Sequence, residues 1–225
     1  MDAVDFSVEN AFVTPWLTKD HSDKVVVLIG ADNVMSVYPS SDKSAVAGNA
    51  ASIFYHLFGA EQGSFSGFSL GAKRGGGGGG DLWSNTVWTK TFGTSGEEVV
   101  DVVLSAHDQL VVNSVYRTGE RGAIFKYLNP HLIGVATVER AHSLMHIYLM
   151  DGVTGRVYLH QYHHNVEVEA GGISMLLYEN KFMYSLFNTQ TMLTEITSID
   201  LWMSNPQDVP TKGLCQVTPW TGDCS

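Results

Sequence analysis

The sequence predicts an all-β fold, a partial β-propeller built of antiparallel four-stranded blades. Charged residues make up 16% of the 225 residues, whereas Gly occurs 23 times. Val, Tyr, Phe and Thr, which favour strands, are frequent. Turn signals recur about every eight to twelve residues, as in sandwiches, barrels and propellers. A helical fold is disfavoured because no segment keeps a 3.6-residue period between capping signals.

Residues 1–72 are predicted to form the upstream blade or blades. Lys24 to Gly30 is an apolar strand, and after the turn at 31–33 the chain returns as a second strand, 34–38, that ends at Pro39. These two strands predict a hairpin. Residues 40–51 are small and polar and are expected to form a loop. Residues 53–58 form a further apolar run, and in 64–70 large apolar residues alternate with small ones.

Residues 73–81 are predicted to be a flexible linker, since six consecutive glycines follow Lys73-Arg74. Such a run can neither pack a core nor hold one conformation. A phosphate-binding loop is disfavoured because the run lacks a Gly-Lys-Ser/Thr ending, a preceding Val/Ile strand and a following helix.

Residues 82–204 show a regular rhythm of strands and turns and are predicted to form the main group of blades. The predicted strands are 82–92, 99–104, 110–116, 124–128, 132–138, 145–150, 156–160, 173–178, 182–187 and 195–202. A blade takes roughly 40–50 residues and a closed ring about four to eight blades. The chain supplies about four or five such units, so we expect an incomplete propeller followed by an irregular tail, 205–225.

The overall charge excludes some classes of partner. The formal net charge is −10, and the 13 Lys and Arg residues are scattered. Lys73-Arg74 and the run from Arg117 to Arg121 are too short to form a basic patch, so nucleic acid and anionic lipid are not expected partners. Neither a signal peptide nor a stretch of ~20 apolar residues is visible, and we expect a soluble piece of something longer.

Nine histidines raise the question of a metal site. His142 and His146 are four residues apart and would share a face if both lay on one strand, and a second group comprises His160, His163 and His164. Since no acidic residue completes the ligand set at matching spacing, we predict no metal site and interpret these as solvated histidines.

Other candidate catalytic groups have structural interpretations. The string Gly63 to Gly67 lacks the strand and helix of a nucleophile elbow and is interpreted as a loop. Glu97-Glu98 and the pair Glu167 and Glu169 are expected to face water, and the aromatic residues to pack the blades. Cys215 and Cys224 could form a small-loop disulfide or remain free thiols. No catalytic residue, cofactor or small-molecule substrate is predicted.

One predicted hairpin resembles the blade hairpin of quinoprotein-type β-propellers. The segment from His146 to Tyr158 runs strand, Asp151, Thr154-Gly155 and strand. Asp151 can hydrogen-bond the turn backbone and Gly155 can take positive φ, which together fix the strand register.

Two strings resemble the lumenal region of subunit 1 of the ER membrane protein complex. They are Lys-Tyr-Leu-Asn-Pro at 126–130 and Asp-Gly-Val-Thr-Gly-Arg at 151–156, in the order and at a spacing similar to that family, while 179–189 and 195–201 resemble it more loosely. The firm part of the resemblance covers about residues 124–189.

The resemblance implies a large type I membrane protein with two lumenal propellers and one anchor helix near its C-terminus. The complex inserts weakly hydrophobic and tail-anchored segments into the ER membrane, and this subunit acts in it as a non-catalytic lumenal scaffold. Other subunits of the complex are the implied partners, with membrane contact through an anchor that this chain lacks. The chain also lacks an Asn-x-Ser/Thr glycosylation sequon, and we expect it to be a fragment of the family's protein.

The alternative is a free-standing quinoprotein-like propeller that acts as an interaction module or, as a further variant, an oxidoreductase.

Overall fold

The computed structural model describes residues 7–30, 34–59, 63–72, 82–92, 96–105, 111, 113–117, 122–167, 172–203 and 215–217. Antiparallel strands dominate these residues, which confirms the all-β fold class. The strands are β1 (Val8–Leu17), β2 (Lys24–Gly30), β3 (Met35–Tyr38), β4 (Phe54–Gly59), β5 (Ser64–Ala72), β6 (Leu82–Thr91), β7 (Glu97–Leu104), β8 (Val115–Arg117), β9 (Ala123–Lys126), β10 (Leu132–Glu139), β11 (Leu144–Asp151), β12 (Val157–His164), β13 (Ile173–Tyr178), β14 (Lys181–Asn188), β15 (Leu193–Met203) and β16 (Cys215–Val217).

The chain divides into two compact units. The first comprises Met1–Gly59 and Phe65–Lys90, and the second comprises Ala60–Ser64 and Thr91–Ser225. In the first unit, one sheet has the order β1-β2-β3 and another the order β4-β5-β6. The predicted pairing of β2 with β3 is confirmed, with Val27 opposite Val37. The predicted linker, 73–81, lies outside the described residues.

A short helix occupies part of the segment that was predicted to be a loop. Helix α1 (Lys43–Asn49) lies between 3₁₀ turns at Ser40–Asp42 and Ala50–Ser52. Val46 and Ala50, which are four residues apart and therefore share a helical face, are 1% and 3% exposed. They pack with Val25, Val27 and other apolar residues of the sheets, so burial of this stripe explains the helix.

The second unit contains two larger sheets. One has the order β12-β11-β10-β7, and the other the order β13-β14-β15-β9-β8, with β16 paired to β15. The predicted turns at 151–155 and 179–181 join β11 to β12 and β13 to β14, and both hairpins are confirmed.

Two other pairs of successive predicted strands, 99–104 with 110–116 and 124–128 with 132–138, do not form hairpins. β7 pairs with β10 whereas β8 pairs with β9, so the chain crosses between sheets after 104. It crosses again at Asn129-Pro130, since β9 pairs with β15 and β10 with β11. Turn residues in a sequence indicate that the chain reverses, whereas the sheet that it then joins depends on distant partners.

The core of the second unit lies between its two sheets. One face of the β12-β11-β10-β7 sheet contributes buried aliphatic residues such as Ala136, Ile147 and Leu149, and the other sheet contributes Phe182 and Leu186. β10 differs from the other strands because its residues from Leu132 to Val138 are all buried, so both of its faces are covered.

Candidate functional site

The two strings that carry the family resemblance meet in the structure. The backbone N–H of Gly152 donates to the carbonyl of His131, with an N···O distance of 2.8 Å. The phenol oxygens of Tyr127 and Tyr158 lie 3.0 Å apart, and the rings meet edge to face. We call the contact between segments 126–131 and 151–158 the motif junction.

Side chains at the motif junction form a hydrogen-bonded series. The Asn129 amide donates to the hydroxyl of Tyr127, which lies beside that of Tyr158. The Tyr158 hydroxyl is in turn 3.5 Å from Oδ2 of Asp151, a long contact. Burial, followed by the neighbouring Tyr127, raises the pKa of Tyr158, which keeps this phenol neutral. The series therefore ties the two strings together through hydrogen bonds.

The turn at 151–156 has the internal bonding that its residues predict. Oδ1 of Asp151 accepts from the backbone N–H of Val153 at 2.9 Å, and Oδ2 accepts from the Thr154 hydroxyl at 3.0 Å. Gly155 has φ of 71°, in the left-handed region that glycine adopts without strain. The predicted roles of Asp151 and Gly155 are confirmed.

The first string also contacts the sheet that contains β13 and β14. The Lys126 ammonium pairs with the Glu179 carboxylate in the β13–β14 turn. The backbone N–H of Tyr127 donates to the carbonyl of Leu201, at 3.0 Å. Residues 126–127 thereby link the motif junction to β15, so this string has a structural role in joining the two sheets.

A second polar group runs across the β12-β11-β10-β7 sheet, on the face opposite the core. Nδ1 of His146 lies 3.0 Å from Nε2 of His160, and His160 stacks on Tyr148 with ring centroids 4.3 Å apart. Glu97 completes the group because its carboxylate accepts from Thr137 at 2.9 Å and Tyr148 at 3.2 Å. We call these five residues the histidine row.

Electrostatics in the histidine row keeps the phenol of Tyr148 neutral. Burial and the adjacent carboxylate of Glu97 raise the pKa of Tyr148 to about 12. Nε2 of His146 is 4.0 Å from Oε1 of Glu97, and both side chains are largely buried. The row therefore pairs its polar groups with one another across the strands of the sheet.

The structure separates the two histidines of the first pair and corrects the expectation for Glu97. His142 and His146 do not share a strand, because the 3₁₀ turn Arg140–His142 ends before β11 begins, and His142 contacts Glu139 instead. Glu97 does not face water, since it accepts hydrogen bonds from Thr137 and Tyr148, whereas Glu98 is exposed and pairs with Arg140. Cross-strand register, which sequence spacing does not reveal, decides the environment of Glu97.

The other histidines of the predicted group have different environments. His163 lies on the core side, where Nε2 is 2.9 Å from the Tyr184 hydroxyl, and burial lowers the pKa of its imidazole. His164 is exposed at the end of β12. Among the described residues, no cluster of three or more His, Cys, Asp or Glu side chains has a geometry that could hold a metal ion.

The serine strings lie in a strand. Gly63 to Gly67, predicted to be a loop, runs into β5 (Ser64–Ala72), so that expectation is wrong. The string that does have the nucleophile-elbow spacing is Gly-Phe-Ser-Leu-Gly at 67–71, which the sequence prediction did not identify. Its serine, Ser69, lies inside β5 rather than at a strand-to-helix turn, which is the context an elbow requires.

Some predictions fall on parts of the chain that are not described. Glu169, Cys224, Lys73-Arg74 and most of 117–121 lie outside the described residues, and of Cys215 the backbone alone is described, in β16. Within the described part of the chain, no helix reaches the length and apolarity of a membrane span.

Antiparallel sheets built largely from consecutive strands, with an Asp and Thr-Gly turn in the β11–β12 hairpin, define the class as a β-propeller segment. A family model described as "ER membrane protein complex subunit 1, second beta-propeller" matches residues 1–216. The chain therefore belongs to the family of subunit 1 of the ER membrane protein complex, which confirms the resemblance and the propeller class.

Curated relatives carry the same description. ER membrane protein complex subunit 1 of Gallus gallus is 29% identical over 207 residues, covering 89% of this chain and 20% of the relative. The Xenopus laevis protein of that name is 25% identical over 205 residues, covering 88% of this chain and 19% of the relative. The chain thus spans about a fifth of the length of the curated relatives it matches.

Proposed function

We propose that this chain is a non-catalytic scaffold segment of the ER membrane protein complex, contributing protein–protein contacts on the lumenal side of the ER membrane. The complex to which it contributes inserts transmembrane segments into that membrane. The observation that carries the proposal is the match of a family model of the subunit's second propeller to residues 1–216. The motif junction and the histidine row support it because their polar groups bond one another within the fold.

Co-purification from cells tests membership of the complex. The tagged chain, directed into the ER, should recover other subunits of the complex well above the level obtained with an unrelated, equally tagged secreted propeller. Recovery equal to that control, with the chain folded and present in the lumen, would contradict the proposal. Tight binding of a quinone by the purified chain would instead favour the free-standing quinoprotein-like alternative.

A glycosylation reporter tests the lumenal location separately. Met192 is exposed in the β14–β15 turn with φ of 56°, a conformation that Asn adopts more readily than most residues. The Met192→Asn variant creates the acceptor sequence Asn-Leu-Thr. Expressed from its own transcript, this variant should gain a glycan that an endoglycosidase removes, and Met192→Gln should gain none. An unglycosylated Met192→Asn variant would place the site outside the lumen.

A further inference from the structure

Two tryptophan rings lie across the backbone of β5, in the β4-β5-β6 sheet of the first unit. A Cβ at Gly71 would lie 2.5 Å from Cε2 of Trp83, and a Cβ at Gly67 would lie 2.2 Å from Nε1 of Trp88. Each ring therefore occupies the space in which any residue other than glycine would place its side chain. The glycines of the Gly-Phe-Ser-Leu-Gly string at 67–71 thus seat two indoles.

These rings lie on the face of the sheet that points away from the core. Leu70 and Leu82 are buried in the core of the first unit. Since successive residues of a strand point to opposite faces, their neighbours Gly71 and Trp83 belong to the other face. Trp83 is 37% exposed, and because one side of its ring covers Gly71, the exposure is mainly on the opposite side. This face of the sheet therefore presents an indole to solvent.

Neighbouring side chains fix the orientation of both rings. Nε1 of Trp83 donates to Oδ1 of Asn85 at 3.1 Å, and Phe65 meets Trp88 edge to face with ring centroids 5.3 Å apart. Ser69, midway between the two glycines, shares their face of β5. A ligand that stacks on rings held in this way costs little further side-chain entropy. We call Ser69, Trp83, Asn85 and Trp88 the tryptophan platform.

The polar groups around the tryptophan platform are almost all uncharged. Lys90 is the single Lys, Arg, Asp or Glu residue within β4, β5 and β6. The other polar side chains of β5 and β6, the indoles apart, are serine and threonine hydroxyls and the Asn85 amide. Ligand sites in proteins combine aromatic surface with a few placed polar groups. The platform therefore suits a neutral ligand that carries hydroxyl groups.

A pyranose ring has the matching chemistry. One face of such a sugar presents C–H groups, whose hydrogens carry a small positive charge, and the face of an indole is electronegative. The rim of the sugar carries hydroxyl groups, which lose hydrogen bonds to water on binding unless polar side chains replace them. At the platform Trp83 offers the flat surface, and the exposed Asn85 offers an amide at the edge of that surface.

Two other ligands that stack on aromatic rings fit less well. A nucleobase arrives with phosphate, which Lys and Arg bind, whereas β4, β5 and β6 hold Lys90 alone and the net charge of the chain is −10. A polyproline segment docks in grooves lined by aromatic side chains, whereas these indoles lie across the backbone of a strand. A neutral saccharide is the ligand class that both charge and geometry favour.

We propose that the tryptophan platform binds a neutral oligosaccharide of pyranose units, with one sugar ring stacked on Trp83 and hydrogen-bonded to Asn85. Gly67 and Gly71 are about 13 Å apart along an extended strand, so a linear oligosaccharide would contact both indoles. The saccharide is either free or attached to a protein. This inference goes beyond the proposed function and does not depend on it, since it concerns the chain alone.

Binding of defined saccharides to the purified full chain tests the proposal. The protein probes are ribonuclease B, which carries a neutral high-mannose glycan, and ribonuclease A, the same polypeptide without it. The free probes are the glycan released from ribonuclease B, maltoheptaose and chitohexaose. We expect calorimetry to detect binding of a saccharide probe and none of ribonuclease A. Binding of ribonuclease B alone would assign the site to protein-attached glycans, and binding of a free probe would assign it to free oligosaccharides.

Substitution of the exposed indole tests whether the platform is the site. Trp83→Ala should weaken saccharide binding by at least about tenfold, because it removes the stacking surface. Trp83→Phe retains a ring and should weaken binding less. The matched control is Tyr162→Ala, which removes an aromatic ring that is 62% exposed on a strand of the second unit and should leave the affinity unchanged.

A substitution beneath the ring tests the geometry without removing a group that contacts the ligand. The methyl group of Gly71→Ala displaces the Trp83 ring, so the affinity should fall, whereas Gly48→Ala, where a Cβ meets nothing within 4 Å, should leave it unchanged. Circular dichroism establishes which variants fold. Asn85→Ala, at an exposed position, keeps the test decisive if the others do not fold, and it should weaken binding about threefold to tenfold.

Four results would each overturn the proposal. They are no binding of any saccharide probe, equal binding of ribonucleases A and B, saccharide binding that Trp83→Ala leaves unchanged, and tighter binding of a proline-rich peptide or a single-stranded oligonucleotide than of every saccharide. Because all of these measurements use the isolated chain, co-purification of the complex bears on the proposed function alone. The two proposals can therefore fail independently of each other.

Discussion

At the residue scale, Asp151 does more for the fold than its position in a surface turn suggests. Its carboxylate accepts from a backbone N–H and from a hydroxyl within the same turn, and it ends the hydrogen-bonded series of the motif junction. Hydrogen bonds to charged groups contribute about 1.5–3 kcal/mol each. One carboxylate therefore fixes the conformation of the turn.

We expect Asp151→Ala to lower the free energy of unfolding by about 1–3 kcal/mol, because the N–H of Val153 and the hydroxyl of Thr154 lose their acceptor. The measurement is the urea midpoint at constant m-value, which reports stability rather than a change in exposed surface.

The matched control for this prediction is Thr154→Val, which removes the hydroxyl donor and leaves the carboxylate with the N–H of Val153. It should cost less than Asp151→Ala. A wild-type midpoint for Asp151→Ala would show that the turn holds its conformation without the carboxylate.

His163 gives the fold a defined dependence on pH. Burial lowers the pKa of this imidazole below its ordinary value of about 6.5. At a pH between the lowered pKa of the folded chain and the ordinary pKa of the unfolded chain, the unfolded chain binds a proton at His163 that the folded chain does not. The free energy of unfolding therefore falls as the pH decreases through this window, and it is fully retained above the window.

We expect His163→Gln to reduce the fall in stability between pH 7 and the acidic end of that window, because Gln can still donate to Tyr184 but does not titrate there. The measurement is the difference in urea midpoint between wild type and variant at each pH. His164→Gln is the control, since this neighbouring histidine is exposed. Identical pH profiles for wild type and His163→Gln would contradict the assignment.

At the scale of elements, the approach of the two sheets in the second unit depends on the absence of one side chain. A Cβ at Gly134 in β10 would lie 2.8 Å from Cε2 of Phe182 and 2.8 Å from Cγ1 of Val103. Phe182 is fully buried in β14, on the facing sheet. Glycine at this position therefore lets the Phe182 ring pack directly against the backbone of β10.

We expect Gly134→Ala to destabilise the second unit by about 1–3 kcal/mol, the usual cost of overpacking, despite the lower backbone entropy of alanine in the unfolded chain. Thermal or urea unfolding measures the change. Gly48→Ala is the control because a Cβ there meets nothing within 4 Å, and this helical position should gain stability.

Combining Gly134→Ala with Phe182→Leu tests the physical cause. The smaller side chain leaves room for the new methyl group, so the double variant should be more stable than the sum of the two single effects predicts. Strict additivity would show that the ring at Phe182 is not what the methyl group meets.

Strands were predictable where apolar residues alternate or cluster between turns. Val25, Val27 and Ile29 mark β2 because alternate residues of a strand share one face. β1 was missed because Pro15 interrupts its pattern, and its register with β2 shifts between Val13 and Leu17. Helix α1 was missed because it has seven residues and its N-cap, Asp42, makes no side-chain capping bond.

The candidate site was predictable only in its local parts. The Asp151 turn follows from neighbouring residues, and its bonding was foreseen. The histidine row depends on the register of four strands, which brings Glu97 to Tyr148 across 51 positions. The approach of the Tyr127 and Tyr158 hydroxyls depends on contact between the segment after β9 and β12 of the other sheet, so one sequence read along its length does not reveal it.

At the scale of the whole molecule, the two sheets of the second unit are not completed by hairpins of consecutive strands alone. β7 pairs with β10, and β9 pairs with β15, so each of the two sheets requires strands from distant parts of the chain. Such non-local pairing slows folding because loop closure precedes the contacts that reward it. We therefore expect the second unit to unfold cooperatively, with both sheets lost together.

The burial of β10 on both faces has a consequence for exchange with solvent. This strand lies between β7 and β11, whereas β13 lies at the end of its sheet. Amide protons in β10 should accordingly exchange for deuterium last, through global opening of the unit, and those of β13 should exchange sooner through local opening. Mass spectrometry of deuterated peptides measures both rates, and equal protection of the two strands would contradict this expectation. The hydrogen bonds of β10 are thus expected to stay closed for as long as the unit remains folded, while those of the end strand β13 open and re-form many times.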